Sequence, residues 1–351
     1  MPNFRTIARK SERWFGAHQR ALPWRADYDP YHVWVSEVML QQTQMPVVLR
    51  FYDRFLKRFP SIAALAAASP DDVTAAWSGL GYYRRARMLR EGAIEVERRF
   101  AGELPRDVAQ LMSIPGIGRY TAGAIASIAF DRVAPIVDGN IKRILARLFG
   151  PRTNAWTGAE KLVRESKSPR VFNQALMEIG ALICRPQQPQ CGRCPLRSEC
   201  RAFATGRTAL EPRTRPGSIS VTRRLYVMKD RRGRVLMRKD HRGMYVLPRQ
   251  AAGGERRALG TFVHTIMNKR ITFQVFAAVG EPRRANCFRI ATMDLEKIPH
   301  PSFVRKALQL AGVFLLAALP LFADSRAYQI APDSKNIVEF HAEVVGAEPD
   351  H

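Results

Sequence analysis

The sequence predicts a multidomain chain, an all-α unit over roughly its first 200 residues followed by an α+β unit, and three observations lead there. Up to Cys200, apolar residues recur at helical spacing in segments that open on capping side chains or prolines. Among these segments a glycine turn, Pro115-Gly116-Ile117-Gly118, separates two apolar helical runs. From Ile219 the texture changes to short alternating runs bounded by turn residues, the pattern of strands.

Residues 4–20 read as an amphipathic helix that stops before Leu22-Pro23-Trp24-Arg25, because proline removes a helix hydrogen bond and clashes with the preceding turn. Asp29-Pro30 opens the next helix, with an acceptor at the cap and proline at the first helical position. This helix is expected to run to about Gln44, ahead of Pro46. Val33, Val38 and Leu40 make it apolar on most sides, so Glu37 is an ionisable group in the middle of a buried helix. Such a group is rarely kept without a partner or a task. A salt bridge to one of the many arginines is the structural alternative. Further helices over residues 47–100 are divided at Pro60 and Ser69-Pro70. Between them Gly79-Leu80-Gly81-Tyr82-Tyr83-Arg84-Arg85 offers a tyrosine able to wedge between bases and arginines able to hold phosphate.

Asp107–Met112 and Arg119–Phe130 are the two helical runs around the glycine turn. The turn leaves backbone N–H groups free at a helix N-terminus, where an anion such as a phosphate can sit. Next comes Val137-Asp138-Gly139-Asn140, with Asp138 placed to cap the following helix. That role is compatible with a second one as an anion that steadies a cation. Cys184, Cys191, Cys194 and Cys200 form a compact array with one close pair flanked by single cysteines, unlike the two close pairs usual for zinc. An iron–sulfur cluster, zinc and free thiols are the readings of that array, and its spacing alone leaves all three open. Residues 204–218, rich in Arg, Pro, Thr and Gly, read as a linker. Ser220–Lys229 and Arg234–Asp240 then read as strands around an Arg232-Gly233 turn, Arg270–Val279 as another, and Ser302–Ala311 as a closing helix.

The 351 residues include 56 Lys plus Arg against 31 Asp plus Glu, a formal charge of +25 that points to a polyanionic partner: DNA, RNA or an anionic membrane surface. Five cysteines, four of them in one array, do not suggest a disulfide framework. The first fifteen residues carry charge without an export-type apolar run, so a reducing cytoplasm is expected.

The stretch Ile114-Pro-Gly-Ile-Gly-Arg-Tyr-Thr-Ala-Gly-Ala-Ile-Ala-Ser127, followed by Val137-Asp-Gly-Asn140 and preceded by Ser36-Glu-Val-Met-Leu-Gln-Gln-Thr-Gln44, resembles the helix-hairpin-helix DNA glycosylases, and within them the MutY-type adenine DNA glycosylases. The resemblance is dense from Phe4 to Cys200 and loose beyond. It implies a monofunctional adenine glycosylase of base-excision repair, acting on double-stranded DNA with adenine opposite 8-oxoguanine or guanine. The expected protein is a nucleoid-associated monomer with no obligate protein partner. Glu37 would protonate the adenine, Asp138 would stabilise the sugar cation, and Tyr120 and Asn140 would orient Asp138 and a water. Leu40, Gln42, Tyr82, Gly116, Gly118 and Arg119 fall at DNA-contacting positions. Arg20, Leu22, Trp24, Arg25 and Gln174 fall around the adenine pocket, although Trp24 is equally an ordinary buried aromatic. The four cysteines would carry a [4Fe-4S] cluster.

The resemblance also implies domains at 1–203 and 219–310, joined by the 204–218 linker, the second a Nudix-like fold that senses the lesion. A Nudix run of glutamates is missing after Gly253-Gly254, so nucleotide hydrolysis is not expected. Where the family often carries a Phe-Ser-His trio, this chain has Ile266-Met267-Asn268 after His264-Thr265, which weakens the expected route to 8-oxoguanine recognition. An endonuclease III-like lyase is the enzymatic alternative, and Tyr120 in place of that branch's lysine argues against it. A non-catalytic DNA-binding iron–sulfur protein is the other, against which the presence of both Glu37 and Asp138 argues. Residues 311–351, an apolar run and an acidic tail, read as a fusion, a marginal membrane anchor, or a last core helix with a disordered tail.

Overall fold

The computed structural model describes residues 3–208, 219–240, 243–251, 255–266, 269–278, 287–295 and 298–313. Expectations for 209–218, Gly253-Gly254, Met267-Asn268 and the tail from 314 onward lie outside the described residues.

The first unit is helical: α1 (Phe4–His18), α2 (Pro30–Leu40), α3 (Met45–Arg58), α4 (Ile62–Ala67), α5 (Pro70–Ala76), α6 (Arg84–Phe100), α7 (Val108–Met112), α8 (Arg119–Ala124), α9 (Gly139–Phe149), α10 (Ala155–Arg164), α11 (Pro169–Glu178) and the short α12 (Arg201–Ala204). Side-chain caps start most of them: Asp29 Oδ1 accepts from the N–H groups of Tyr31 and His32, Asp107 from Ala109 and Gln110, and Asn154 from Trp156 and Thr157. Two cores result. Trp34, Trp77, Tyr52, Phe55 and Leu89 fill one. Ile7, Ile144, Phe172 and Leu176 fill the other, against which Cys184, Cys194 and Cys200 pack. Helix α2 feeds both, Trp34 and Val38 into the first and Val33 into the second, so Glu37 lies on the seam between lobes.

Two helices differ from expectation. Helix α2 ends at Leu40 rather than near Gln44, because Gln42 takes a left-handed backbone at φ 57° and its carbonyls find partners elsewhere. The run expected over Arg119–Phe130 is α-helical only to Ala124 and widens to a π-turn over Ile125–Ala129. A second π-turn, Ile179–Ile183, extends α11; such bulges concentrate at functional sites.

The second unit has two three-stranded sheets. In one, β1 (Ile219–Val227) pairs in parallel with β5 (Lys269–Ala278), which pairs antiparallel with β4 (Glu255–Ile266). In the other, β2 (Val235–Lys239) lies between β3 (Tyr245–Val246) and β6 (Cys287–Ile290), both antiparallel to it. Although Gly233 makes the predicted turn, β1 and β2 enter different sheets, joined by an isolated antiparallel bridge between Lys229, just past β1, and Val235. Strand β4 is legible only in retrospect, since charges and a bulge near Gly260 interrupt its alternation. Helix α13 (Ser302–Leu310) closes the unit through Val304, Ala307 and Leu308, and Val313 packs against the same core.

The units touch where Tyr83 Oη donates to the His300 carbonyl at 2.8 Å and Lys239 Nζ meets Asp71 Oδ2 at 2.9 Å. Beside these contacts opens a cleft of about 710 Å³, walled by Gln42, Tyr82 and Gly116 on one side and by His264, Thr265 and Phe303 on the other.

Candidate active site

Glu37 and Asp138 reach one place from different elements. Glu37 is 3% exposed and on the middle of α2, so it has lost water without gaining a backbone donor. Burial pushes its carboxyl up to about 7; the hydrogen bond with the Tyr120 hydroxyl pulls down, the neighbouring Asp138 pushes up and Arg25 pulls down. Burial next to the two carboxyls likewise drives the Tyr120 hydroxyl well above its ordinary range, so it remains a donor. Asp138 is the N-cap of α9: Oδ1 accepts from the Ile141 N–H at 2.7 Å and Oδ2 from Asn140 Nδ2 at 3.1 Å. Both contacts are from N–H donors, the partners a carboxylate anion takes.

Behind Asn140 the polar contacts continue. Arg143 Nη2 donates to Asn140 Oδ1 at 2.9 Å and to the Gly180 carbonyl at 2.7 Å, and its Nε to the Cys184 carbonyl at 2.7 Å. Gly180 is needed in the second π-turn, because a Cβ there would sit 2.7 Å from Asn140 Cβ.

Arg20, Arg25 and Gln174 also come together, around a residue the sequence reading missed. Glu178, 1% exposed, takes Arg20 Nη2 and Arg25 Nη2 at 2.8 Å each. Arg25 Nε donates to Gln174 Oε1 at 2.7 Å, and Gln174 Nε2 donates to the Arg170 carbonyl at 3.2 Å. Glu178 closes α11, a helix that mixes buried Phe172 and Leu176 with polar Arg170, Asn173 and Gln174, so its burial has no clear signal in the sequence. Leu22 and Trp24 are core residues, Trp24 lying edge-on to Tyr52.

At the hairpin, Gly116 has φ 84° and a Cβ would meet Met88 Cβ at 2.8 Å, so only glycine lets the turn lie on α6. Gly118 caps α8 without a side-chain bond, and both glycines are exposed. Arg119 stacks on Trp156 at 3.8 Å. Tyr82 and Gln42 are exposed at the cleft, while Leu40 is half-buried against the core. Arg85, expected to hold phosphate, instead turns inward onto carbonyls of the α2 C-terminus.

The four cysteines are half-buried in one loop. Burial pushes the Cys194 thiol up to about 11, a backbone hydrogen bond from Leu196 pulls the other way, and Cys184, Cys200 and Cys191 each push up further. Arg147, 3% exposed on α9, donates to Cys184 Sγ at 3.2 Å and to the Arg185 and Pro186 carbonyls. Among the described residues no group of three or more His, Cys, Asp or Glu converges to hold a single metal ion.

Residues 35–169 match the HhH-GPD superfamily of base excision DNA repair proteins, which defines the class. An adenine DNA glycosylase of Mus musculus is 46% identical over 208 residues, 54% of this chain and 40% of that protein. One of Mycolicibacterium smegmatis is 38% identical over 201 residues, 55% of this chain and 68% of that protein. The chain belongs to the adenine DNA glycosylase family. It spans about two fifths of the mammalian relatives' length. Among solved structures, a thermostable thymine-DNA glycosylase superposes with TM-score 0.54 at 29% identity, over 57% of this chain and 97% of that one. An endonuclease III in a non-covalent DNA complex superposes with TM-score 0.50 at 22% identity, over 59% and 99%, a likeness of fold.

Proposed function

We propose that this chain is a monofunctional adenine DNA glycosylase of base-excision repair, acting on double-stranded DNA in which adenine faces 8-oxoguanine or guanine. One observation carries the reading: two carboxyl groups share a site in opposite settings, Glu37 buried with a carboxyl raised to about 7 and Asp138 held by two N–H donors. Excision needs that asymmetry, since one group must give a proton and the other must stay an anion.

The duplex hides the glycosidic bond, so the adenine is extruded while Tyr82 and Gln42 fill the gap. Glu37 in its neutral form protonates adenine N7, which makes the base a leaving group. Asp138 stabilises the oxocarbenium sugar until water adds. Tyr120 donates to Glu37, and Asn140 orients Asp138. No amine stands at Tyr120 to form a Schiff base, which disfavours lyase chemistry. Arg25, Gln174 and Arg20 form the polar wall of the adenine pocket, backed by Glu178.

The cysteine loop fits a [4Fe-4S] cluster held by Cys184, Cys191, Cys194 and Cys200. A half-buried thiol pushed up as Cys194 is needs a cationic centre to become a thiolate, and a cube accepts ligands at separate corners rather than at one ion. Bound there, the cluster would fold the loop and present Arg193 and Arg197 to DNA. We assign residues 1–203 to the catalytic domain, 204–218 to a linker, and the sheets from 219 to about 310 to a Nudix-like lesion-sensing domain. The reading includes a monomer working at the nucleoid. Among the described residues no helix is long and apolar enough to cross a membrane. Purified protein incubated with duplexes carrying adenine opposite 8-oxoguanine, guanine or cytosine tests the reading. Excision opposite the first two is expected, and excision of oxidised pyrimidines with strand cleavage would replace it with the lyase alternative.

A further inference from the structure

Two residues other than glycine hold a left-handed backbone where the helical unit faces the cleft, Gln42 at φ 57° and Tyr82 at φ 47°. Each such residue is strained and persists only where its surroundings hold it. One side chain holds both. Arg85, on the first turn of α6, donates from Nη1 to the carbonyls of Val38, Met39 and Gln41 at 2.8, 2.9 and 2.6 Å. These belong to the end of α2, where a helix leaves its last carbonyls without partners. Its Nη2 donates to Thr43 Oγ1 at 3.0 Å and to the carbonyls of Leu80 and Gly81 at 3.3 Å each. The guanidinium also lies over the rings of Tyr82 and Trp77, at 5.5 and 5.4 Å. No carboxylate pairs with it among the described ion pairs, so helix-end carbonyl dipoles balance its charge. Burial lowers its pKa to about 10, which leaves it cationic at neutral pH.

We propose that Arg85 is a positioning residue: it clamps the Tyr82 turn to the C-terminal end of α2, so that Tyr82 and Gln42 enter the duplex as one rigid unit in register with Glu37. The inference rests on the glycosylase reading. The clamped carbonyls of Val38, Met39 and Gln41 follow Glu37 within about one helical turn, so whatever fixes that end of α2 also fixes the distance between the acid and the extruded base. A lysine in place of Arg85 keeps the charge, but not the planar fork that reaches both segments at once.

The test uses the full chain and duplexes carrying 2-aminopurine, an adenine analogue that brightens when unstacked, at the target position. Arg85→Lys is expected to cut the fluorescence rise and to slow single-turnover adenine excision about tenfold, a fraction of what a 1 Å misplacement can cost, with affinity for undamaged duplex within about twofold. Tyr82→Ala should cut the rise too, and the double variant should be no worse than the worse single one, as for residues acting as a unit. Thr43→Val removes one acceptor of the clamp and leaves its hydrocarbon volume, so a smaller loss of extrusion is expected. Multiplicative losses in the double variant would overturn the clamp. So would a uniform loss of DNA affinity with a salt slope lower by about one, the signature of a phosphate contact. Should Arg85→Lys fail to fold, unchanged extrusion in Thr43→Val overturns it instead. If the wild type neither brightens the probe nor excises adenine, the glycosylase reading itself fails. If wild type and Arg85→Lys do both equally well, only the clamp fails.

Discussion

Helix α2 carries Glu37 in its middle, where every backbone N–H is already committed and water is excluded, whereas α9 carries Asp138 at its cap, where free N–H groups converge on the carboxylate. The side chains differ by one methylene, so the separate duties proposed for them rest on position along a helix. A mid-helix site offers burial without donors and favours the neutral acid; a cap offers donors and suits the anion. Tyr120 and Asn140 refine this difference, one donating to each carboxyl.

Substitutions that erase one side of the contrast should have the largest effects. Glu37→Gln keeps shape and hydrogen bonding but has no proton to give, and single-turnover excision is expected to fall about a hundredfold or more with duplex binding retained. Asp138→Asn should cost a similar or slightly smaller factor, about a hundredfold, by removing the charge opposite the sugar cation. Parallel loss of binding in either variant would recast that residue as structural. Gly180→Ala is expected to cost less, roughly tenfold, because the new Cβ displaces Asn140 from Asp138 without touching either carboxyl.

A smaller effect concerns stability, with the opposite sign to activity. The folded-state pKa of Glu37 lies above its unfolded value, so its contribution is full below about 4.5 and is lost as pH rises through about 7. At pH 8 the native fold holds a buried charge that Glu37→Gln removes. Thermal melts should therefore show the variant several degrees more stable than wild type at pH 8, and the gap closing toward pH 5. A variant less stable at pH 8 would show that the carboxylate is compensated and that α2 does not favour the neutral form.

Much of the contrast was legible in the sequence, because both halves of it are local. Helical periodicity around Glu37 exposes a carboxyl on a buried face, and Asp138 precedes a helix as an acceptor side chain does. Glu178 was overlooked for lack of a partner, since the arginines that neutralise it lie about 155 positions away in sequence. Arg85 sits in a motif of aromatics and arginines that suggests nucleic acid, and nothing in that motif announces that the end of α2 will need its donors. The π-turns obey no hydrophobic period different from that of the α-helix they continue. In the second unit, alternation found β1, β2 and β5, but their partners depend on long-range pairing, which placed β1 beside β5 rather than in a hairpin with β2.

The central claim is that one carboxyl works as a neutral acid beside another that works as an anion. The most direct test is the pH dependence of single-turnover adenine excision at saturating enzyme, from pH 5.5 to 9. The account predicts a rate that falls with a one-proton slope as pH rises past about 7, where Glu37 gives up its proton, and a residual rate in Glu37→Gln that lacks this limb. A wild-type rate that stays level across that range would contradict it.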